Sequence, residues 1–223
     1  MRTTDRIEKI IIERVMNGGY ACNTLVPSER ELAAHFEVGR PVIREVLQRL
    51  ERDGWITIRK GQRAVVNDYW RQGNLMTLVH YLEQEADMPD AFIVHLLELR
   101  RALLPAYVHG AVETNSMQVV SLLTEMDQLA DEASAFAEFD WKLQRGLAAA
   151  SSNPIYLLIL NSFQRLYIKM ATLYFEEQPY REVSMSYYRD LIGAAVANNP
   201  DQAKQLAERM MDQSIEMWKQ RNH

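Results

Sequence analysis

Apolar residues recur at helical spacing from the start of the chain. Ile10, Ile11, Val15 and Met16 form a stripe that predicts a helix from about Asp5 to Asn17, ended by Gly18 and Gly19. In VPSERELAAHF, Ser28 and Glu31 stand at capping-box spacing, and Leu32, Ala33 and Phe36 point inward from a second helix. Gly39 then suits an N-cap, and Pro41 in the first turn of a third helix forfeits no hydrogen bond. Ile43, Val46, Leu47 and Leu50 follow at i, i+3, i+4 and i+7 and mark its buried face. Asp53-Gly54 closes this helix. Trp55 to Ile58 and Ala64 to Val66 read as two short strands joined across RKGQR, with Gly61 in the turn. Three helices followed by a two-stranded wing make a winged helix-turn-helix.

After the polar and aromatic stretch NDYWRQGN, residues 67–74, the pattern is helical throughout. Helices are expected near 75–86, 90–110, 115–132, 134–151, 155–177, 182–198 and 201–221, with Pro89, Pro154, Pro179 and Pro200 among the breakers. The expected fold is therefore mostly α. A winged helix-turn-helix over 1–66 and a linker over 67–74 precede a seven-helix antiparallel bundle over 75–223, with room for an interior site.

Charge sharpens this division. The whole chain is acidic, net −5, yet residues 1–66 hold 12 Lys+Arg against 9 Asp+Glu, and the remainder holds 13 against 21. A basic head on an acidic body suits a module that meets a polyanion and one that does not. No run approaches 18 uncharged apolar residues and MRTTDRIEK is no signal peptide, so a cytoplasmic protein with no membrane partner is expected. Cys22 stands alone and reads as a small hydrophobe.

With the buried face of the third helix fixed, Arg40 and Arg44 lie towards the opposite face, as does Gln48. Arg30, in the first turn of the second helix, reaches towards the same surface. Arginine there can fork onto guanine N7 and O6 or clamp phosphate. Arg59, Lys60 and Arg63 on the wing would sit near backbone or minor groove. A solvated helix face accounts for any one of these residues, whereas the ordered array of turn, recognition helix and wing points to double-stranded DNA. The small positive margin calls for a homodimer presenting two heads.

This segment resembles the DNA-binding domain of GntR-type bacterial transcription factors. REVLQRLERDGWITI and, later, RGLAAASSNPIYLLILN are similar to the fatty-acid-responsive, FadR-type branch, and the likeness runs from about residue 9 to Trp218. The resemblance implies that Arg30, Arg40 and Arg44 contact an operator, with Lys60 and Gly61 of the wing in the minor groove. It also implies that Arg100, Tyr167, Tyr174, Tyr188, Ser214 and Trp218 surround a long-chain acyl-coenzyme A (acyl-CoA) effector. Three positions depart from the family pattern: Gly39 replaces Ser or Thr, Lys60 replaces histidine, and Met211 stands where the relative has glycine near the ligand. The implied function is a regulator released from DNA by acyl-CoA, repressing degradation genes and activating unsaturated fatty-acid synthesis genes.

Two other classes are weighed against it. Catalysis needs a polar constellation, but the five histidines show no HExxH spacing. His95 and His109 stand about 21 Å apart on one helix. Ser151, Ser152 and Asn153 read as a helix end, and no glycine-rich phosphate loop exists, so no enzyme is expected. The alternative regulator answers to a small carboxylate through a metal held by one Asp and three His. By likeness to that superfamily the Asp is Asp140, but the His positions are Gln144, Tyr188 and Met210. No metal is therefore expected. Phe163 and Met170 extend the Tyr167–Tyr174 face, either as ordinary core or as the wall of an acyl-chain site.

Overall fold

A computed structural model describes residues 2–84 and 89–220. The chain divides into two compact units, Met1–Ala86 and Asp87–His223.

In the first unit, α1 (Thr3–Met16), α2 (Glu29–His35) and α3 (Arg40–Arg52) are followed by β1 (Ile56–Thr57) and β2 (Val65–Val66). The capping box forms as the spacing predicts: Glu31 N donates to Ser28 Oγ at 3.3 Å, and Ser28 N donates to Glu31 Oε2 at 2.7 Å. Gly39 is the N-cap of α3, and Ile43, Val46, Leu47 and Leu50 are all buried. The stripe of α1 is rotated from its expected position. Ile7, Ile11, Ile12 and Val15 are buried, while Ile10 and Met16 are only half-buried. The wing is antiparallel, pairing Ile56 with Val66 and Thr57 with Val65. The segment before α2 extends it, because Asn23 N and Val26 N donate to Val66 O and Ala64 O, each at 2.8 Å.

The expected linker is ordered into this unit. It holds a short helix, α4 (Tyr69–Gln72), followed by α5 (Leu75–Gln84). By packing, the first unit thus extends past residue 66. The cause lies in the Asp53-Gly54 turn. Thr77 Oγ1 donates to Asp53 O, Asn74 Nδ2 to Arg52 O at 2.9 Å, and Asn67 Nδ2 to Gly54 O at 3.0 Å. Gly54 adopts φ +83°, and a Cβ there would lie 2.8 Å from Gly73 Cα. The two glycines let the backbones touch, so the turn both ends α3 and seats the next segment.

The second unit is helical: α6 (Asp90–Leu123), a 3-10 turn (Thr124–Gln128), α7 (Ala133–Ala150), α8 (Pro154–Asn161), α9 (Gln164–Phe175), α10 (Gln178–Val196) and α11 (Pro200–Gln220). α6 breaks at Asn115, which has φ −153° and whose Oδ1 accepts from Gln118 N at 3.3 Å, so it caps the second half. The expected helix at 155–177 is two helices, parted at Ser162–Phe163. Among the described residues the unit therefore has seven helical segments, the two halves of α6 with α7 to α11. The number is the expected one, but α5 is not a member and α8 and α9 count separately. The expected helix ends at 85–86 and 221 lie outside the described residues. No described helix is long and apolar enough to cross a membrane.

Two of the first unit's positive-φ glycines, Gly54 and Gly61, give a paired test. At Gly61, φ is +75° and a Cβ would meet nothing within 4 Å, so Gly61→Ala should cost only the left-handed strain of about 1–2 kcal/mol. Gly54→Ala adds a backbone collision and should cost clearly more, by upward of about 2 kcal/mol in urea unfolding.

Candidate functional site

Two places in the chain collect functional chemistry, one in each unit. In the first, Arg44 forms a bidentate pair with Glu29, Nε to Oε1 at 3.1 Å and Nη2 to Oε2 at 2.8 Å. The Glu29 carboxyl is held below the usual range, chiefly by the Arg44 hydrogen bond, with the charges of Arg44 and Arg40 adding to it. Glu31 is likewise lowered, first by its bonds from Ser28 and then by the charges of Arg63 and Arg30. Arg63 lies 3.7 Å from Glu31 and its Nε donates to Val26 O at 3.0 Å. These contacts bring the first turn of α2, the start of α3 and the wing to one edge of the unit. Arg30, Arg40, Arg59, Lys60 and Gly61 are all exposed, and among the described residues none of the four basic ones is held in an ion pair.

Arg49, the other arginine of α3's middle, does different work. It bonds Asp5 at 3.1 Å, Glu8 at 3.3 Å and Glu45 at 2.6 Å, tying α3 to α1. Glu8, Asp53 and His80 also converge closely enough to offer ligand atoms within 4.8 Å of one another. Both carboxylates already carry guanidinium partners, Arg49 on Glu8 and Arg52 on Asp53.

The second unit holds a part-open cavity of about 120 Å³. Its walls are mainly apolar, from Ile93, Leu96, Leu97 and Leu103 of α6, Ile159 and Leu160 of α8, and Leu166, Met170 and Ala171 of α9, with Phe163 between the last two helices. Arg100, Tyr167, Tyr174, Ser214 and Trp218 line it, five of the seven positions singled out for a ligand. Tyr188 lies behind the wall, where its hydroxyl donates to Asp140 Oδ1 at 2.9 Å. Met211 is buried in the core and does not line the cavity; its neighbour Met210 does.

Beneath this wall lies a buried polar knot. Asp140 accepts from the Tyr167 and Tyr188 hydroxyls and, at 3.0 Å, from Gln144 Nε2. Gln144 Oε1 accepts from Tyr107 at 2.7 Å. Arg100 Nη2 stands 3.6 Å from Asp140 Oδ2, and its guanidinium lies over the Tyr167 ring at 4.8 Å. Burial opposes the Arg100 charge, but Tyr167 and Asp140 more than offset it and hold the group above its ordinary pKa. Burial drives the Tyr167 and Tyr188 hydroxyls well above the phenol range, so both remain donors. Tyr174 is also raised by burial, against the Ser214 hydroxyl 3.1 Å away. Arg100 Nε, buried in the wall, has no partner among the described residues.

Tyr107, Ser184 and Met210 also line the cavity and were missed from sequence. Tyr107 was within reach, because it lies seven residues, two turns, after Arg100 on the same face of α6.

A basic winged-helix unit and a helical unit with an internal cavity define a DNA-binding regulator. Residues 3–66 match the family model of bacterial regulatory proteins, gntR family, and residues 67–223 match that of the FadR C-terminal domain. The chain belongs to the gntR family of bacterial transcription regulators, in the branch with a FadR C-terminal domain. The family models part at residue 66/67, whereas the compact packing parts near residue 86. Relatives named fatty acid metabolism regulator protein occur in Klebsiella pneumoniae, 35% identical over 95% of this chain and 88% of theirs, and Shewanella pealeana, 36% over 86% and 80%. Two solved structures share the fold at 15% identity. Lar, which controls expression of the Listeria monocytogenes agr system, has a TM-score of 0.64 over 99% of this chain and 98% of its own. A GntR protein from Rhodococcus sp. RHA1 has 0.53 over 97% of each.

Removing the Asp140 carboxylate leaves two buried phenols and the Gln144 amide without their acceptor, beside a half-buried guanidinium. Asp140→Ala should therefore destabilise the protein by upward of about 2 kcal/mol in chemical denaturation. Adding Arg100→Met should cost less than the sum of the two single changes, because the charges are coupled.

Proposed function

We propose that the protein is a cytoplasmic, homodimeric regulator of fatty acid metabolism that leaves its operator when long-chain acyl-CoA occupies the helical unit. The carrying observation is the cavity, in which long apolar walls meet one guanidinium and a phenol–serine pair, in a chain whose relatives are named as fatty acid metabolism regulators. Apolar walls suit the hydrocarbon; Arg100 Nε and the Tyr174–Ser214 hydroxyls suit the thioester end. In the head, Arg40 and Arg44 meet base edges or phosphates of a major groove, Arg30 meets the flanking backbone, and Arg59, Lys60 and Gly61 follow the wing. Release of the operator would relieve repression of degradation genes and end activation of unsaturated fatty-acid synthesis genes.

Two features favour this over a small, metal-bound carboxylate effector. The position of the superfamily's metal set holds Asp140, Gln144, Tyr188 and Met210, with every Asp140 oxygen already engaged and Arg100 supplying the positive charge. A divalent ion there would face one carboxylate and a fixed cation. The walls are also far more extensively apolar than a small acid needs.

The cavity's size speaks to mechanism. At about 120 Å³ it is smaller than the ~300–1,000 Å³ of usual small-molecule sites. A long acyl chain would enter by parting the walls further. A ligand shifts a conformational equilibrium only through its differential affinity for two states, and one that fits the opened unit alone has that difference built in.

Calorimetric titration with oleoyl-CoA should show saturable binding near one ligand per chain, with free oleate and free coenzyme A binding far more weakly. Equal binding of free oleate would remove the thioester from the account, and no binding at all would remove the effector.

A further inference from the structure

Arg44 and Glu29 are fifteen residues apart, on different helices, and meet side-on through two parallel hydrogen bonds of 3.1 and 2.8 Å. That geometry uses the Nε–H and one N–H of Nη2. A guanidinium carries five N–H donors in a rigid fork. Of the three left over, one on Nη2 and one on Nη1 form its outer end, the edge that matches guanine O6 and N7. Arg40, one turn earlier on the same helix, is exposed and has no such partner among the described residues.

The pair adds little to the fold, since the Arg44 side chain is 62% exposed and Glu29 35%, and exposed pairs contribute weakly to stability. What it changes is the state of Arg44 before any contact. An unpaired arginine on a flexible stem is drawn to phosphate anywhere along a duplex. Arg44 is instead biased towards one orientation with part of its charge offset, so its pull on phosphate is reduced while its outer donors are aimed away from Glu29. Glu29 itself is fixed by position, as the first residue of α2 beside the Ser28–Glu31 capping box.

We propose that Glu29 is a positioning residue for base recognition. It turns Arg44 from a phosphate binder into a guanine reader, leaving non-specific attraction to Arg40 and the wing. This rests on the placement of α3 in the major groove with Arg44 at base edges, as set out above.

The test uses the full chain. Selection from a randomised double-stranded oligonucleotide library supplies a preferred duplex. Wild type, Arg44→Ala and Glu29→Gln are then compared by fluorescence anisotropy on that duplex, on single-base-pair replacements of it, and on random-sequence duplex. Arg44→Ala should abolish preference for one G·C pair. Glu29→Gln should lose about tenfold of the discrimination at that same pair, within the range of one bidentate base contact. It should also bind random duplex at least as tightly as wild type, with a steeper salt dependence, because a negative charge is gone. Full discrimination in Glu29→Gln, or an equal loss of affinity on every duplex, would overturn the proposal while leaving base reading by Arg44 intact. Arg44→Ala with unchanged preference would overturn the base-reading placement and the proposal with it.

Discussion

A carboxylate buried inside a helical bundle must be answered, and in the second unit Asp140 is answered by three hydrogen-bond donors and by the half-buried guanidinium of Arg100. The carboxylate alone would be costly in this environment. Together with Arg100, Tyr107, Gln144, Tyr167 and Tyr188 it makes a knot in which α6, α7, α9 and α10 are each tied by at least one polar contact. The cavity lies against this knot, not apart from it. Arg100, Asp140, Tyr107 and Tyr167 belong to both. Whatever enters the apolar space therefore presses on the same residues that hold four helices in register. In the proposed function, local occupation would become a change in the whole unit, because packed, hydrogen-bonded interiors switch between arrangements more readily than they stretch.

The first unit distributes its arginines by the same rule of partner and exposure. Arg49 is spent on three carboxylates and fastens α3 to α1; Arg52 is spent on the buried Asp53. Arg63 braces the wing against α2. Arg30, Arg40, Arg59 and Lys60 remain exposed to solvent. An acidic chain thereby keeps one edge with usable positive charge, and that edge includes the start of the recognition helix. Composition alone understates this, because it cannot separate cations consumed by the fold from cations left for a polyanion.

Much of the head was legible from its sequence. Ile43, Val46, Leu47 and Leu50 admit one helical phase, and the Ser28–Glu31 box marks its own start. The phase of α1 was harder, since Ile10, Ile11 and Ile12 are consecutive and propensity cannot choose among them; burial of Ile7 and Val15 decides it. The placement of α5 was not legible. Its apolar pattern identifies a helix, but only the Thr77, Asn74 and Gly73 contacts with the Asp53-Gly54 turn show what it packs against. The break between α8 and α9 was hidden in a long apolar run. In the cavity, Arg100, Tyr167, Tyr174, Ser214 and Trp218 were named through family likeness, and periodicity would have added Tyr107. The Arg44–Glu29 pair joins two helices and had no local signature.

In the proposed function, filling the cavity takes the head off DNA, two events in separate compact units of one chain. The most direct measurement is fluorescence anisotropy of a preferred duplex bound to the full-length protein during titration with oleoyl-CoA. The duplex should be released as the thioester saturates the protein, while free coenzyme A at the same concentration leaves the complex intact. A complex that stays fully bound with the ligand site saturated would contradict that function, whatever the affinity of either ligand alone.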